Sequence, residues 1–334
     1  MSPHPTVLGL PLTDALAISG LVMSALGAAA FLALLFVPAP YGRYSSLASA
    51  RFYSLGLPDL PATLAWVLQE APAYFCACAL WVFAPEARSH RLSPNAVLLA
   101  ILAAHYFNRA FVYPFKIRGG KPTPFGVFLM AFAFCVWNGT ALGLYFTRVA
   151  AVRGGAAEAL LAPRFVGGVL LCALGAFVNL EADAILRALR KPGDRAYYIP
   201  RVRAGPPPRW LPFAPTPAPL THARAPPRTT HPPTHPPPQG GAFELVSGAN
   251  FFGEILEWAG FALAAYAPLT GLRPELAAIQ GTPLVGLLLH PAVAFAFFTF
   301  CNIAPRGAQH HASYKARFGK AYPAHRRAVI PFVW

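Results

Sequence analysis

Of 334 residues, 56% are apolar and only 12% are charged, and the mean hydropathy is +0.46. That excludes an ordinary soluble domain. The net charge of +15 comes from basic residues between long apolar runs, which fits loops beside anionic lipid and an anionic ligand better than a nucleic-acid surface.

Spans near the roughly 20 residues that cross a bilayer are predicted at Ala15–Val37, Thr63–Phe83, Ala96–Val112, Phe125–Phe146, Phe165–Leu186, Ala249–Leu269 and Leu284–Ile303. They describe an all-α integral membrane protein of about seven helices. The third is interrupted by His105, Asn108 and Arg109, so that face should meet protein rather than lipid. Lys and Arg favour one set of loops: Arg43 and Arg51; Lys116, Arg118 and Lys121; Arg187, Arg190, Lys191 and Arg195; and the tail beyond Ile303. By the positive-inside rule the N-terminus is outside or lumenal and the C-terminus cytosolic. The first apolar run is too long for a cleavable signal and lacks a basic lead. Cys76, Cys78, Cys135, Cys172 and Cys301 all fall in apolar spans without zinc spacing, and read as packing residues.

A single membrane domain is expected over residues 1–334, with one break. Arg201–Pro238 is rich in Pro and Arg and lacks any acid. It supports neither a helix nor a central strand, and reads as a disordered insert in a cytosolic loop.

The polar residues inside apolar runs are the candidates for chemistry. Asn250, Glu254 and Glu257 are spaced four and three apart, on or near one helical face. Two carboxylates in hydrocarbon imply a polar cavity with work to do; a helix end facing water is the plainer alternative. The second span carries Gln69-Glu70, and the third carries Tyr106. A carboxyl in an apolar helix is expected to keep its proton and so to donate a hydrogen bond. Taken alone, Glu70 also fits an interfacial acid, and Tyr106 an aromatic-belt residue. Asn179, Asp183, Arg187 and Arg190 form nearly one helical stripe, which a snorkelling, salt-bridged helix end would also explain. Arg306, His310 and Tyr314 follow in the tail. His310 and His311 are adjacent, share no helical face, and have no partner at zinc spacing, so no metal is expected. No Gly-x-Gly-x-x-Gly follows a strand, so a Rossmann domain is not supported.

FELVSGANFFGEILEWAGFAL (Phe243–Leu263), HYFNRAFVYP (His105–Pro114), LRALRKPG (Leu186–Gly193) and YPAHRRAVIPFVW (Tyr322–Trp334) together resemble the steroid 5α-reductase family. Its members are membrane enzymes that use NADPH to saturate the 4,5 double bond of 3-oxo-Δ4-steroids. The resemblance runs from about Pro40 to Trp334, interrupted at about Arg201–Pro238.

It implies that Glu70 and Tyr106 bind the 3-oxo group, with Gln69 beside them. It also implies a cofactor network of Asn179, Asp183, Arg190, Tyr197, Asn250, Glu254, Arg306, His310 and Tyr314, with Arg109 and Arg118 as weaker members. Glu257 is a weaker candidate that could simply brace its helix. A steroid or sterol substrate, membrane lipid, and the endoplasmic reticulum are the implied surroundings, with no nucleic acid.

Two departures bear on the cofactor. Tyr198 stands where the family often has Arg, and Lys121 stands near a position where some members have Arg, which Lys does not replace as a bidentate clamp. Members also run from Tyr-x-Ile-Pro directly into Gly-Gly-x-Phe. Here Pro200 and Gly240 are separated, so the insert reads as a translated intron or a mispredicted gene boundary, with a lineage-specific regulatory loop as the competing idea. Polyprenol or very-long-chain enoyl-CoA reduction is the nearest alternative within the same superfamily. An S-adenosylmethionine-dependent membrane methyltransferase is the alternative of another class.

Overall fold

The computed structural model describes residues 6–39, 53–83, 93–117, 120–150, 156–188 and 240–334. Thr6–Val7 (β1) and Leu10–Pro11 (β2) pair as a short antiparallel hairpin, the one departure from the all-α expectation among these residues. It leads into α1 (Leu12–Phe36). There follow α2 (Ala62–Val82), α3 (Pro94–Lys116), α4 (Phe125–Val149), α5 (Ala156–Leu161), α6 (Pro163–Ala188), α7 (Ala249–Ala265), α8 (Pro274–Gln280) and α9 (Pro291–Phe318). Proline starts most of them. It sits just before the first turn at Pro11, Pro61 and Pro124, and within it at Pro94, Pro274 and Pro291, where a missing N–H is not needed.

Helices α1, α3, α4 and α6 are long and apolar enough to cross a membrane. Their outer faces carry exposed Leu26, Leu32 and Phe36 on α1, and Leu170, Leu174 and Phe177 on α6. Such faces are costly in water and at home in hydrocarbon. The other three expected spans are also helical but do not meet both criteria. α7 has 17 residues. α2 contains Gln69, Glu70 and Pro72, and the second half of α9 is polar. α9 also runs well past Ile303, where the seventh span was expected to end.

The helices pack as α6 on α7, α2 on α4 and α1 on α9, with α7 also against α9 and α3 against α2. Glycine on both helices lets α6 and α7 meet backbone to backbone. On α6, a Cβ at Gly175 would lie 2.1 Å from the Glu257 backbone nitrogen; on α7, one at Gly253 would lie 2.4 Å from that of Asn179. Small residues allow this approach between apolar helices. It brings Asn179 and Asp183 beside Asn250, Glu254 and Glu257.

Candidate active site

The site is built from side chains of α2, α3, α4, α6 and α7. In α3 the helix widens to a π turn over Asn108–Val112. Such insertions re-aim side chains and recur at functional sites. The turn carries Arg109, whose guanidinium lies 4.5 Å from the Trp66 ring centre and 5.0 Å from that of Tyr113. Its Nη1 is 3.6 Å from Asp183 Oδ2. Arg109 is also the charge on which Glu254, Glu70 and Asp183 act electrostatically, in that order. One cation from α3 is thereby shared by acids of three other helices, which is how charge is kept in an apolar bundle.

Around it the polar groups pair across helices. Asn179 Nδ2 donates to the Asn250 carbonyl at 2.9 Å, and the Asn250 side chain is within hydrogen-bonding reach of Asp183. His105 Nδ1 lies 2.8 Å from Glu257 Oε1, and its ring packs edge-on against Trp258 at 4.6 Å. Glu257 therefore braces α3 against α7 rather than only its own helix. Glu70 has Gln69 within hydrogen-bonding reach, and Cys135 Sγ donates to Glu70 Oε2 at 3.8 Å. Asn138 Nδ2 donates to the Tyr106 phenol oxygen at 3.2 Å. Tyr106 is buried, whereas Glu70 and Glu254 stay partly accessible.

A second group joins through the first turn of α7. Arg306 Nη1 donates to Asn302 Oδ1 at 3.2 Å, and its guanidinium sits 5.2 Å over the Phe251 ring. His310 is 5.2 Å from the same ring, and 6.5 Å from Tyr314. Asn250 and Phe251 thus link the acid-rich centre to the basic face of α9. Next to this face the tail is tied down. Ser247 Oγ is 2.6 Å from His311 Nδ1 and hydrogen-bonds the Tyr322 hydroxyl, while Val246 and Arg327 form a parallel bridge. Burial holds the His311 imidazole below its ordinary range, helped by the nearby charges of Lys315, Arg326 and Arg327.

Of the residues singled out in the sequence, Arg118, Arg190 and Tyr197 lie outside the described residues, as do Tyr198 and Arg201–Pro238. Lys121 is exposed. The remaining candidates fall into the two groups above. Sequence reasoning missed Asn138 and Trp66. It also read Cys135 as packing alone, yet its thiol meets Glu70. A lone Asn in an apolar run is the signal that could have found Asn138.

This is a helical fold of membrane character with a polar site inside it. The family described as 3-oxo-5-alpha-steroid 4-dehydrogenase matches residues 121–204, 230–271 and 285–334, more than half of the chain. Similar proteins include 3-oxo-5-alpha-steroid 4-dehydrogenase 1 of Bos taurus, 37% identical over 312 residues, 92% of this chain and 93% of the relative. The protein of that name from Homo sapiens is 36% identical over 276 residues, 82% and 81% of the two chains. 3-Oxo-5-alpha-steroid 4-dehydrogenase 2 of Rattus norvegicus is 35% identical over 297 residues, 89% of each. The chain belongs to the 3-oxo-5-alpha-steroid 4-dehydrogenase family, and is an oxidoreductase acting on CH–CH donors.

Proposed function

We propose that this protein is an NADPH-dependent steroid 5α-reductase of the endoplasmic reticulum membrane, which saturates the 4,5 double bond of a 3-oxo-Δ4-steroid. The observation that carries this is the convergence of Glu70 of α2 and Tyr106 of α3 on α4, where Cys135 and Asn138 hydrogen-bond them, within electrostatic reach of each other and, for Glu70, of Arg109, in a chain whose relatives bear the name of that activity.

The donor set fits a nicotinamide dinucleotide. Asn179, Asn250, Asp183 and Glu254 offer the amides and carboxylates that a carboxamide and ribose hydroxyls need. Arg306 and His310, with Tyr314 beside them, are the cationic and polar groups for the phosphates; Arg190, Tyr197 and Arg118 are assigned to the same network from the sequence. When bound, the reduced cofactor supplies the hydride that goes to C5.

The protein's own part concerns the other end of the enone. As C5 gains electrons, negative charge grows on the 3-oxo oxygen. Glu70, in its protonated form, and the Tyr106 phenol each give that oxygen a hydrogen bond, preorganised by their partners on neighbouring helices. Gln69 orients Glu70, and the His105–Glu257 pair fixes the turn of α3 from which Tyr106 projects. Arg109 balances the surrounding acids.

Glu70→Gln tests the assignment. Gln keeps the shape but replaces the acidic O–H with a weaker N–H donor, and weakening a preorganised donor to a developing oxyanion costs up to about 10²–10³ in rate. Turnover should fall on that order, with NADPH binding to the same membranes unchanged. Normal turnover would remove Glu70 from the mechanism.

A further inference from the structure

Asn138 is fully buried. Its Nδ2 donates to the Tyr106 phenol oxygen, while its Oδ1 has no hydrogen-bond partner among the described residues. A buried amide oxygen left unpaired is unfavourable, and a leucine there would avoid the cost. Three residues earlier on α4, Cys135 donates to Glu70 Oε2. Positions i and i+3 share a helical face, so one face of α4 touches both members of the carbonyl-binding pair. Gly139 brings that face in: a Cβ there would lie 2.7 Å from the Ala73 Cα on α2.

The directions of these hydrogen bonds matter. A phenol has one proton and can accept as well as donate. With Asn138 donating to it, Tyr106 does not spend its proton on Asn138, and that proton is left for a ligand. A donor onto the phenol oxygen also strengthens the hydrogen bond that the phenol gives. A neutral carboxyl likewise has one accepting oxygen and one O–H. The thiol at Oε2 marks that oxygen as the acceptor and leaves the proton on Oε1.

We propose that Asn138 and Cys135 are positioning residues, through which one face of α4 sets the direction of the hydrogen bonds that Tyr106 and Glu70 give the substrate oxygen. This rests on the assignment of Glu70 and Tyr106 above. It adds that the pair is not self-orienting: α4, which contributes neither group, sets the way the Tyr106 proton points, and acts with Gln69 on that of Glu70.

The experiment measures kcat, the KM for NADPH and the pH profile with a 3-oxo-Δ4-steroid, in full-length protein in membranes. The variants are Asn138→Leu, Asn138→Asp, Cys135→Ala, Tyr106→Phe, Glu70→Leu, and the doubles Asn138→Leu/Tyr106→Phe and Cys135→Ala/Glu70→Leu. Asn138→Leu should lower kcat about tenfold, the weight of one hydrogen bond, and leave the KM for NADPH alone. It should cost nothing further once Tyr106 is Phe, because its effect passes through the phenol. Cys135→Ala should lower kcat less, and nothing further once Glu70 is Leu, which neither accepts from the thiol nor donates to the ligand. Asn138→Asp keeps the shape and so the fold. Ionised, the introduced carboxyl accepts the Tyr106 proton instead of donating to it, so activity should fall as pH rises through its titration, a limb absent from the parent.

Additive losses in the doubles, or a parent-like kcat and pH profile in Asn138→Asp, would overturn the inference. Full turnover in both Tyr106→Phe and Glu70→Leu would instead bring down the parent assignment, and so separates the two failures.

Discussion

At the scale of single residues, the proposed assignment gives chemistry and cofactor recognition to different groups. On it, Glu70 and Tyr106 belong to the first, and Arg306, stacked on Phe251 beside His310, belongs to the second. Arg306→Ala should raise the KM for NADPH about tenfold or more, since a hydrogen bond to a charged group is worth roughly 1.5–3 kcal/mol, with steroid affinity little changed. Titration of both ligands against the variant checks this, and equal NADPH affinities would take Arg306 out of the site. The intramembrane acids, the His105–Asn108–Arg109 run and the tail cations were all visible as polar interruptions of apolar runs, because membrane helices make every such residue conspicuous. Their partners were not. That Glu257 pairs with His105, 152 residues away in sequence, depends on how two helices pack, which periodicity within one helix does not encode. Asn138 and Cys135 were legible only as an isolated amide and a small apolar-like side chain. Their meaning comes from the helices opposite them.

At the scale of elements, α6 and α7 act as one unit because glycine removes the side chains between them. Gly175→Ala puts a methyl group where the backbone of Glu257 stands. Overpacking of this kind costs about 1–3 kcal/mol, so the thermal midpoint should fall. The KM for NADPH should rise too, as Asn179 and Asn250 separate. Gly167→Ala, which meets open space, is the matched control and should be stable. Equal midpoints in the two variants would show that the close contact is not needed.

The tail strap gives a pH dependence. Burial lowers the His311 pKa in the folded state, so the unfolded chain binds the proton more readily. Stability is therefore full above the ordinary imidazole pKa of about 6.5, and is lost as pH falls below it. Between pH 7 and 5 the thermal midpoint of the parent should drop further than that of His311→Gln; parallel curves would contradict the strap. Helix positions were legible in the sequence, since all seven expected spans fall on helices. Lengths were less so. α9 continues past its apolar half because its polar turns pack on the tail and on Phe251, a tertiary contact that hydropathy does not register.

At the scale of the whole molecule, four membrane-length helices, three further helices at the other expected spans and a basic tail make up an oxidoreductase of this family. The seven-span arrangement with an outside N-terminus is our proposal, and the segment Arg201–Pro238 is its test of connectivity. Joining Pro200 to Gln239 should preserve or improve expression and activity. Closing a shorter loop changes its entropy by only about 1 kcal/mol, and the join brings Tyr197 nearer Asn250 along the chain. A well-expressed but inactive deletion, with the segment present in mature mRNA, would make the insert a working part. The central claim is the reaction itself. Membranes containing the protein should be given NADPH with, in turn, a 3-oxo-Δ4-steroid, a very-long-chain enoyl-CoA and a polyprenol, and the products identified. The account predicts 5α-reduced steroid formed with matching NADPH oxidation, abolished or nearly so in Glu70→Gln. Turnover of the enoyl-CoA or polyprenol with the steroid untouched would contradict it.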